Sequence, residues 1–273
     1  MLSNLVVSIE EDPCLPRFTS VGAQTLAKNH KLGYTWRHME LTRLNKYLVD
    51  AGICSRREAD RLMVAGKIAV NGVKAVLGQK VDGTETITVQ GKRVAQPSTK
   101  RVYLAYHKPV GIICTSDPKA QDNIIEAVDF PERVFHIGRL DVASSGLILL
   151  TNDGDIVNKI LRAEGKHEKE YVVTIDRAVT DDFVNSMATG VEIMGRKTYP
   201  AKVERLGDMS FAITLVEGKN RQIRRMCEAM HVNVKKLERI RVMNIELGGL
   251  PTGKWRHLTP GEEKELLAML GPR

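Results

Sequence analysis

The chain has 273 residues, with 41 lysines and arginines against 33 aspartates and glutamates, a net charge of +8 and a pI near 9.3. That length accommodates one medium domain plus a small one, and a basic excess of this size suits a polyanionic partner without requiring one. No apolar run approaches the roughly 20 residues that span a bilayer. The four cysteines (Cys14, Cys54, Cys114, Cys227) form neither a Cys-x-x-Cys pair nor a zinc-spaced group with histidine, so reduced, non-ligating thiols in a cytoplasmic protein are expected.

Pro13, Pro16, Gly22 and Gly33 interrupt residues 1–38, which hold no sustained helical or strand period. No basic stretch followed by an apolar core and a small-residue cleavage site marks a secretory signal. Organised pattern begins just after Met39. Residues 1–39 are therefore expected to be a disordered extension, or residues 1–38 to lie upstream of a natural start at Met39.

Residues 40–97 are expected to form a small basic module. Leu41, Leu44, Tyr47 and Leu48 recur at helical spacing as far as Gly52. Ser55 with Glu58 is the sequence of a capping box, and it opens a second helix that Gly66 closes. Ile68-Ala69-Val70-Asn71-Gly72 predicts a strand entering an Asn-Gly hairpin turn, and a second strand pair is expected around Val81 and Ile87–Val89. The module carries Arg43, Lys46, Arg56, Arg57, Arg61 and Lys67. Arg56, Arg57 and Arg61 share much of one helix surface, although a solvated charged face is the commoner meaning of such a cluster.

Gln96-Pro97-Ser98-Thr99-Lys100 is a polar, proline-containing joint, which places a linker at residues 98–101 and a large domain at 102–270. Val102–Tyr106 predicts a strand entering the turn His107-Lys108-Pro109-Val110-Gly111, whose proline and glycine are explained by turn geometry. Ile124–Val128 predicts a short helix. The apolar run Val134–Ile137 leads to a loop from Gly138 to Gly146, and Leu147–Leu150 continues as a strand to the turn at Asn152-Asp153-Gly154. In that loop Arg139 and Asp141 flank Leu140. A carboxylate against apolar neighbours is costly to ionise, and a nearby guanidinium offsets the cost; equally, an aspartate here can be a turn residue bonding its own loop, which is the commoner role.

Beyond the loop, Asp155–Arg162 predicts an amphipathic helix with Ile156, Ile160 and Leu161 inward. His167–Ile175 predicts a strand with Tyr171 near its start, and Phe211–Val216 another. Arg221 to Cys227 begins a helix with Ile223, Met226, Cys227 and Met230 on the core and Arg221, Arg224 and Arg225 on another face. Arginines in a first turn oppose the helix dipole, which makes sense if a phosphate or Asp141 lies opposite. Asn233–Leu237 and Arg241–Leu247 are expected as separate strands before a short terminal helix. Strands outnumber helices and do not alternate with them, so the fold class is α+β.

Arg139-Leu140-Asp141 followed by Ser144-Ser145-Gly146-Leu147 resembles the catalytic signature of pseudouridine synthases of the ribosomal small- and large-subunit type. His107-Lys108-Pro109-Val110-Gly111, Lys169-Glu170-Tyr171 and Glu217-Gly218-Lys219-Asn220-Arg221 resemble that family's other motifs, in the same order. Arg43-Leu44-Asn45-Lys46-Tyr47-Leu48 with Ser55-Arg56-Arg57-Glu58-Ala59 resembles the S4-type RNA-binding domain. The likeness covers nearly everything after residue 40. It implies a mixed, largely antiparallel central sheet beside a cleft, and a helix pair that grips the phosphates and shape of structured RNA.

The same resemblance implies Asp141 as the essential carboxylate, Lys219 as its cationic partner with Arg221 in reserve, and Tyr171 stacked on the target base. It implies that Arg139 holds the flipped-out nucleotide. Attack on the ribose and attack on the uracil both fit. Isomerisation needs no redox change and no external group, so no cofactor and no metal are expected. The implied partner is RNA, 23S ribosomal RNA first and tRNA as the alternative, with the protein a monomer that engages no membrane. Two rivals stand beside this. A glycoside hydrolase would need a second carboxylate at a set distance, and Asp153 and Asp155 look like turn and cap residues instead. A noncatalytic ribosome-binding factor would use the basic module alone.

Overall fold

A computed structural model describes residues 41–97, 100–117, 119–161 and 165–271. The expectations for residues 1–39, and for Ser98 and Thr99 in the joint, lie outside the described residues. The small module closes around a hydrophobic core of its own, drawn from residues between Leu44 and Val94. Strand β1 (Thr42–Arg43) leads into helix α1 (Leu44–Asp50), which buries Leu44, Tyr47 and Leu48 along one stripe. Leu44 and Leu48 are fully buried, worth about 2 kcal/mol each. Leu41 is exposed, because the helix begins only after it.

Ser55 caps α2 (Arg56–Val64), its Oγ accepting from the Glu58 N–H at 3.2 Å. The Glu58 carboxylate pairs with Arg61 at 3.0 Å. Asn71 and Gly72 take φ of 51° and 82° between β2 (Ile68–Val70) and β3 (Val73–Lys74), the positive-φ pair an Asn-Gly hairpin demands. The second expected strand pair does not form. Val81 lies in β4 (Lys80–Val81), which pairs with β1, while β5 (Ile87–Val89) sits between β2 and β6 (Lys92–Arg93). Val81 is drawn into the core beneath the helices, and two-residue strands carry too little pattern to reveal their partners.

The large module starts with β7 (Tyr103–Lys108), α3 (Ile124–Val128), β8 (Phe135–Ile137), β9 (Ser145–Thr151) and α4 (Gly154–Leu161). There follow β10 (Lys169–Ile175), α5 (Asp181–Thr189), β11 (Glu192–Ile193), β12 (Arg196–Lys197), β13 (Lys202–Gly207), β14 (Ser210–Leu215) and α6 (Gln222–Ala229). β15 (Val234–Val242), β16 (Ile245–Glu246), β17 (Trp255–His257) and α7 (Pro260–Met269) complete it. Its sheet runs β13-β14-β10-β15-β9-β7-β17, with β8 added to β9 and β16 to β15. Only the β15–β9 pairing is parallel, so the sheet is mixed and largely antiparallel, as the α+β expectation required.

β7 and β9 are buried along their whole length. Tyr103, Ala105, Leu147 and Leu149 pack on one face with Ile156 and Ile160 of α4 and Leu266 of α7. Leu104, Tyr106, Ile148 and Leu150 pack on the other with Ile124 and Val128 of α3 and with Leu140. Strand alternation thus decides which face of the sheet receives the Asp141 loop. Leu161, expected inward, is 46% exposed; α4 buries Ile156 and Ile160 alone. The two strands expected between Asn233 and Leu247 are mainly one continuous strand, β15, whose interspersed charges disguise a central position. Lys46 of α1 lies 2.9 Å from Asp50 and 3.2 Å from Asp155 of α4, and Arg133 donates to the Cys54 carbonyl, so side chains join the two modules directly. Among the described residues no helix is long and apolar enough to cross a membrane.

Gly146 is required where β9 meets β15. Its φ is +111°, and a Cβ there would stand 2.3 Å from the Arg239 carbonyl oxygen and 2.4 Å from its nitrogen. Gly146→Ala is expected to cost about 3 kcal/mol or more, lowering Tm by roughly 6–12 °C in a calorimetric melt; an unchanged melt would mean the two strands separate freely there. Glu262 offers a pH test. Arg256 donates to both of its oxygens at 2.7 Å, and this pairing is the main reason its carboxyl is held down to about 2 from 4.5. The folded value lies below the unfolded one, so its stabilisation is full above pH 4.5 and lost as pH falls towards 2. Glu262→Gln should flatten the acid limb of stability in that window, measured by denaturant titration at stepped pH.

Candidate active site

The loop between β8 and β9 is pinned at several points. Leu140 is buried, and its N–H donates to the Cys114 Sγ at 3.4 Å. The Ser144 N–H returns to the Asp141 carbonyl at 3.0 Å, and the Gly111 N–H donates to the Val142 carbonyl at 2.8 Å. These bonds fix the backbone on both flanks of Asp141, while its own side chain stays 31% exposed. A loop held this way presents its carboxylate at little further ordering cost.

The cation facing Asp141 is Arg224. Its residue is 8% exposed. Nη2 donates to the Ala143 carbonyl at 2.9 Å and to the Ser144 Oγ at 3.2 Å, and Nη1 donates to the Val234 carbonyl at 3.3 Å. Nε lies 3.9 Å from the Asp141 Oδ2 and is buried without a hydrogen-bond partner among the described residues. One guanidinium therefore clamps the loop backbone and faces its carboxylate. This corrects the expectation for Lys219, whose Nζ stands 3.3 Å from Glu217 and 3.4 Å from the Lys197 carbonyl. It corrects the reserve choice too, since Arg221 precedes α6 in the left-handed region at φ 52° and pairs with Glu228 at 3.6 Å. Arg224 was expected among the RNA-gripping arginines; its burial takes it from that surface. Arg225 stays outward, donating to the Asn220 Oδ1 at 2.9 Å. The arginine-rich first turn was a real signal, but helical spacing alone does not separate one buried arginine from its neighbours.

Beneath the loop one register row crosses four strands: Tyr171 on β10, Arg239 on β15, Gly146 on β9 and Lys108 on β7. Residues in one row share a face of the sheet. Tyr171 and Leu140 pack into the same cluster, so Tyr171 lies on the side that carries Asp141. Lys108 is fully buried, its Nζ donating to the Pro109 carbonyl at 2.7 Å and the Ile112 carbonyl at 2.9 Å. Burial pushes its pKa down; Cys114 and Asp141 act against that shift, and Arg239 adds to it. Neither Lys108 nor Arg239 was singled out from sequence. A lysine ending an apolar strand was the available clue for the first, and none existed for the second.

Arg139 is exposed. Burial chiefly lowers the pKa of nearby His136; its bond to the Gly138 carbonyl opposes this, and Arg139 adds to the lowering. On the small module Arg43, Arg56, Arg57, Arg61 and Lys67 are exposed, whereas Lys46 is committed to its two aspartates.

The carboxylate faced by a buried arginine over a mixed sheet belongs to an RNA-modifying isomerase: this chain is a member of the RNA pseudouridine synthase family. Residues 102–229 match the family model described as RNA pseudouridylate synthase, and residues 42–87 match the S4 domain. The dual-specificity RNA pseudouridine synthase RluF of Escherichia coli (strain K12) is 48% identical over 229 residues, 84% of this chain and 79% of that protein. Ribosomal large subunit pseudouridine synthase B of Bacillus subtilis (strain 168) is 37% identical over 238 residues, 84% of this chain and 97% of that protein. A crystal structure of a pseudouridylate synthase superposes with a TM-score of 0.61 at 28% identity, covering 82% of this chain and 99% of its own.

The two candidate cations separate cleanly by mutation. Arg224→Gln is expected to lower kcat by about 100-fold or more, as loss of a buried charge facing the Asp141 carboxylate should if that group reacts. Lys219→Gln should stay within about fivefold, since a partly exposed ion pair contributes little. Single-turnover kinetics on one RNA substrate compares them, and the reverse order would restore Lys219.

Proposed function

We propose that this protein converts a specific uridine to pseudouridine in structured RNA, 23S ribosomal RNA in the first instance, with Asp141 as the essential carboxylate. The observation that carries the proposal is the Asp141 side chain, partly exposed in the loop between β8 and β9 with Arg224 Nε 3.9 Å away. A large-subunit substrate is supported by the name of the Bacillus relative; tRNA is the alternative. The protein acts as a monomer in the cytoplasm.

In this scheme the target uridine leaves its stack, at a cost of a few kcal/mol that a loop or strained junction reduces. Arg139 holds the flipped strand through a neighbouring phosphate. Asp141 meets the anomeric carbon as the bond to uracil breaks, and Arg224 holds the loop that carries the carboxylate. Tyr171 packs on the base, and its hydroxyl assists the last proton removal. Arg43, Arg56, Arg57, Arg61 and Lys67 grip phosphates on the helix pair, with Lys219, Arg221 and Arg225 extending that charge along the outer edge of α6.

Asp141→Asn is the deciding variant. Wild-type protein should yield a uridine isomer of unchanged mass in digested RNA, and no free uracil. The variant should yield none while binding the same RNA nearly as tightly, with affinity falling steeply in salt for both. Free uracil from the wild type would instead mark a hydrolase, and a variant defective only in binding would mark a noncatalytic ribosome-binding factor.

A further inference from the structure

Arg239 has a donor to spare. The residue is 3% exposed, its Nε donates to the Leu147 carbonyl at 2.7 Å, and its Nη2 is buried with no hydrogen-bond partner among the described residues. An unsatisfied buried donor costs on the order of 1–3 kcal/mol, more when charged. The Nε bond satisfies a buried strand carbonyl, but Nη2 gains no such partner from the described residues. Its place in the sheet suggests what offsets the cost. Tyr171 lies beside it on β10 and Gly146 on β9, with Lys108 next in the row. Gly146 contributes no side chain, so the row carries polar groups on both sides of a bare position.

The charge balance points the same way. Lys108 and Lys169 are both shifted down by burial first, and Arg239 contributes to each shift; Lys108 in turn senses Asp141. Lys108 thus feels both Asp141 and Arg239, while Arg224 faces Asp141 directly. Positive charge in excess of the resident carboxylate stabilises negative charge that develops during a reaction, provided it is already oriented.

We propose that Arg239 binds the uracil base, donating from Nη2 to a carbonyl oxygen, and holds the base as an anion after it leaves the ribose. This rests on the isomerase reading above and deepens it. When the C1′–N1 bond breaks, its electron pair departs with N1 and spreads onto O2 and O4, while Asp141 meets the electron-poor C1′. The base turns, C5 bonds to C1′, the C5 proton is lost and N1 takes one up, leaving an isomer of the starting nucleotide. Arg239 neither gains nor loses a proton. It lowers the energy of the departing anion and keeps it from diffusing away while it rotates, with the Tyr171 ring against its face.

The test follows the fate of the base. Total RNA from a strain lacking the gene, labelled in the uracil ring, is treated with wild type, Arg239→Met, Arg239→Lys and Asp141→Asn; pseudouridine, free uracil, RNA affinity and Tm are measured. Arg239→Met is expected to bind RNA as wild type does, to convert about 100-fold more slowly, and to release free uracil in a measurable share of turnovers. Arg239→Lys, which keeps the charge, should recover part of the rate and suppress the release. Wild-type rate in Arg239→Met, or loss of rate without free uracil, overturns the proposal. So does failure of both Arg239 variants to fold, which would make the residue structural only. Absence of pseudouridine with the wild type, or undiminished conversion by Asp141→Asn, sinks the isomerase reading itself and is told apart by those two controls.

Discussion

The arrangement depends on burying one guanidinium beside a short loop. Arg224 is desolvated on the first turn of α6, where the helix dipole disfavours a cation, and that cost is offset by three carbonyl or hydroxyl acceptors and by Asp141. Two of those acceptors, Ala143 and Ser144, belong to the loop that carries the carboxylate. The guanidinium therefore does two things at once: it orders the backbone around Asp141 and faces the carboxylate from a fixed position. Removing Arg224 would release the loop backbone, whereas removing the Asp141 carboxylate would leave Arg224 its three other acceptors.

The sheet explains why the loop sits where it does. β9 contacts β15 in parallel for only two residues, Ser145 and Gly146, before β8 takes over that edge. A switch of partner in mid-sheet opens the layer locally, and the Asp141 loop enters at that opening. Gly146 makes the switch sterically feasible, because only a residue without Cβ allows β9 so close to the Arg239 backbone. The same close approach lines up Tyr171, Arg239 and Lys108, so that row is a by-product of the topology and not a separate construction.

Local signals carried much of this in the sequence. The α1 stripe, the Ser55 cap, the Asn71-Gly72 hairpin, and Ile223, Met226 and Cys227 on the core face of α6 were all readable, because each is decided within a few residues. What sequence withheld is what long-range packing decides. Val81 went to β1, not to the strand nearest in sequence. α5 was passed over although Thr180 caps it and Phe183 and Met187 form its buried face. Asp141 and Tyr171 stood out through motif resemblance, but choosing among Lys219, Arg221 and Arg224 required the orientation of α6 against the loop. Arg239 was invisible for the same reason: among charged residues of a long strand, only the fold reveals which one is inside.

Lys46 and Arg133 carry a consequence for how substrates are sorted. Each reaches from one module to the other, so the separation between the cationic helix pair and the Asp141 loop is set by contact and not by the slack of a tether. A spacing held this way would favour an RNA whose rigid stem and susceptible nucleotide match that span, because any other would have to bend, at an elastic cost.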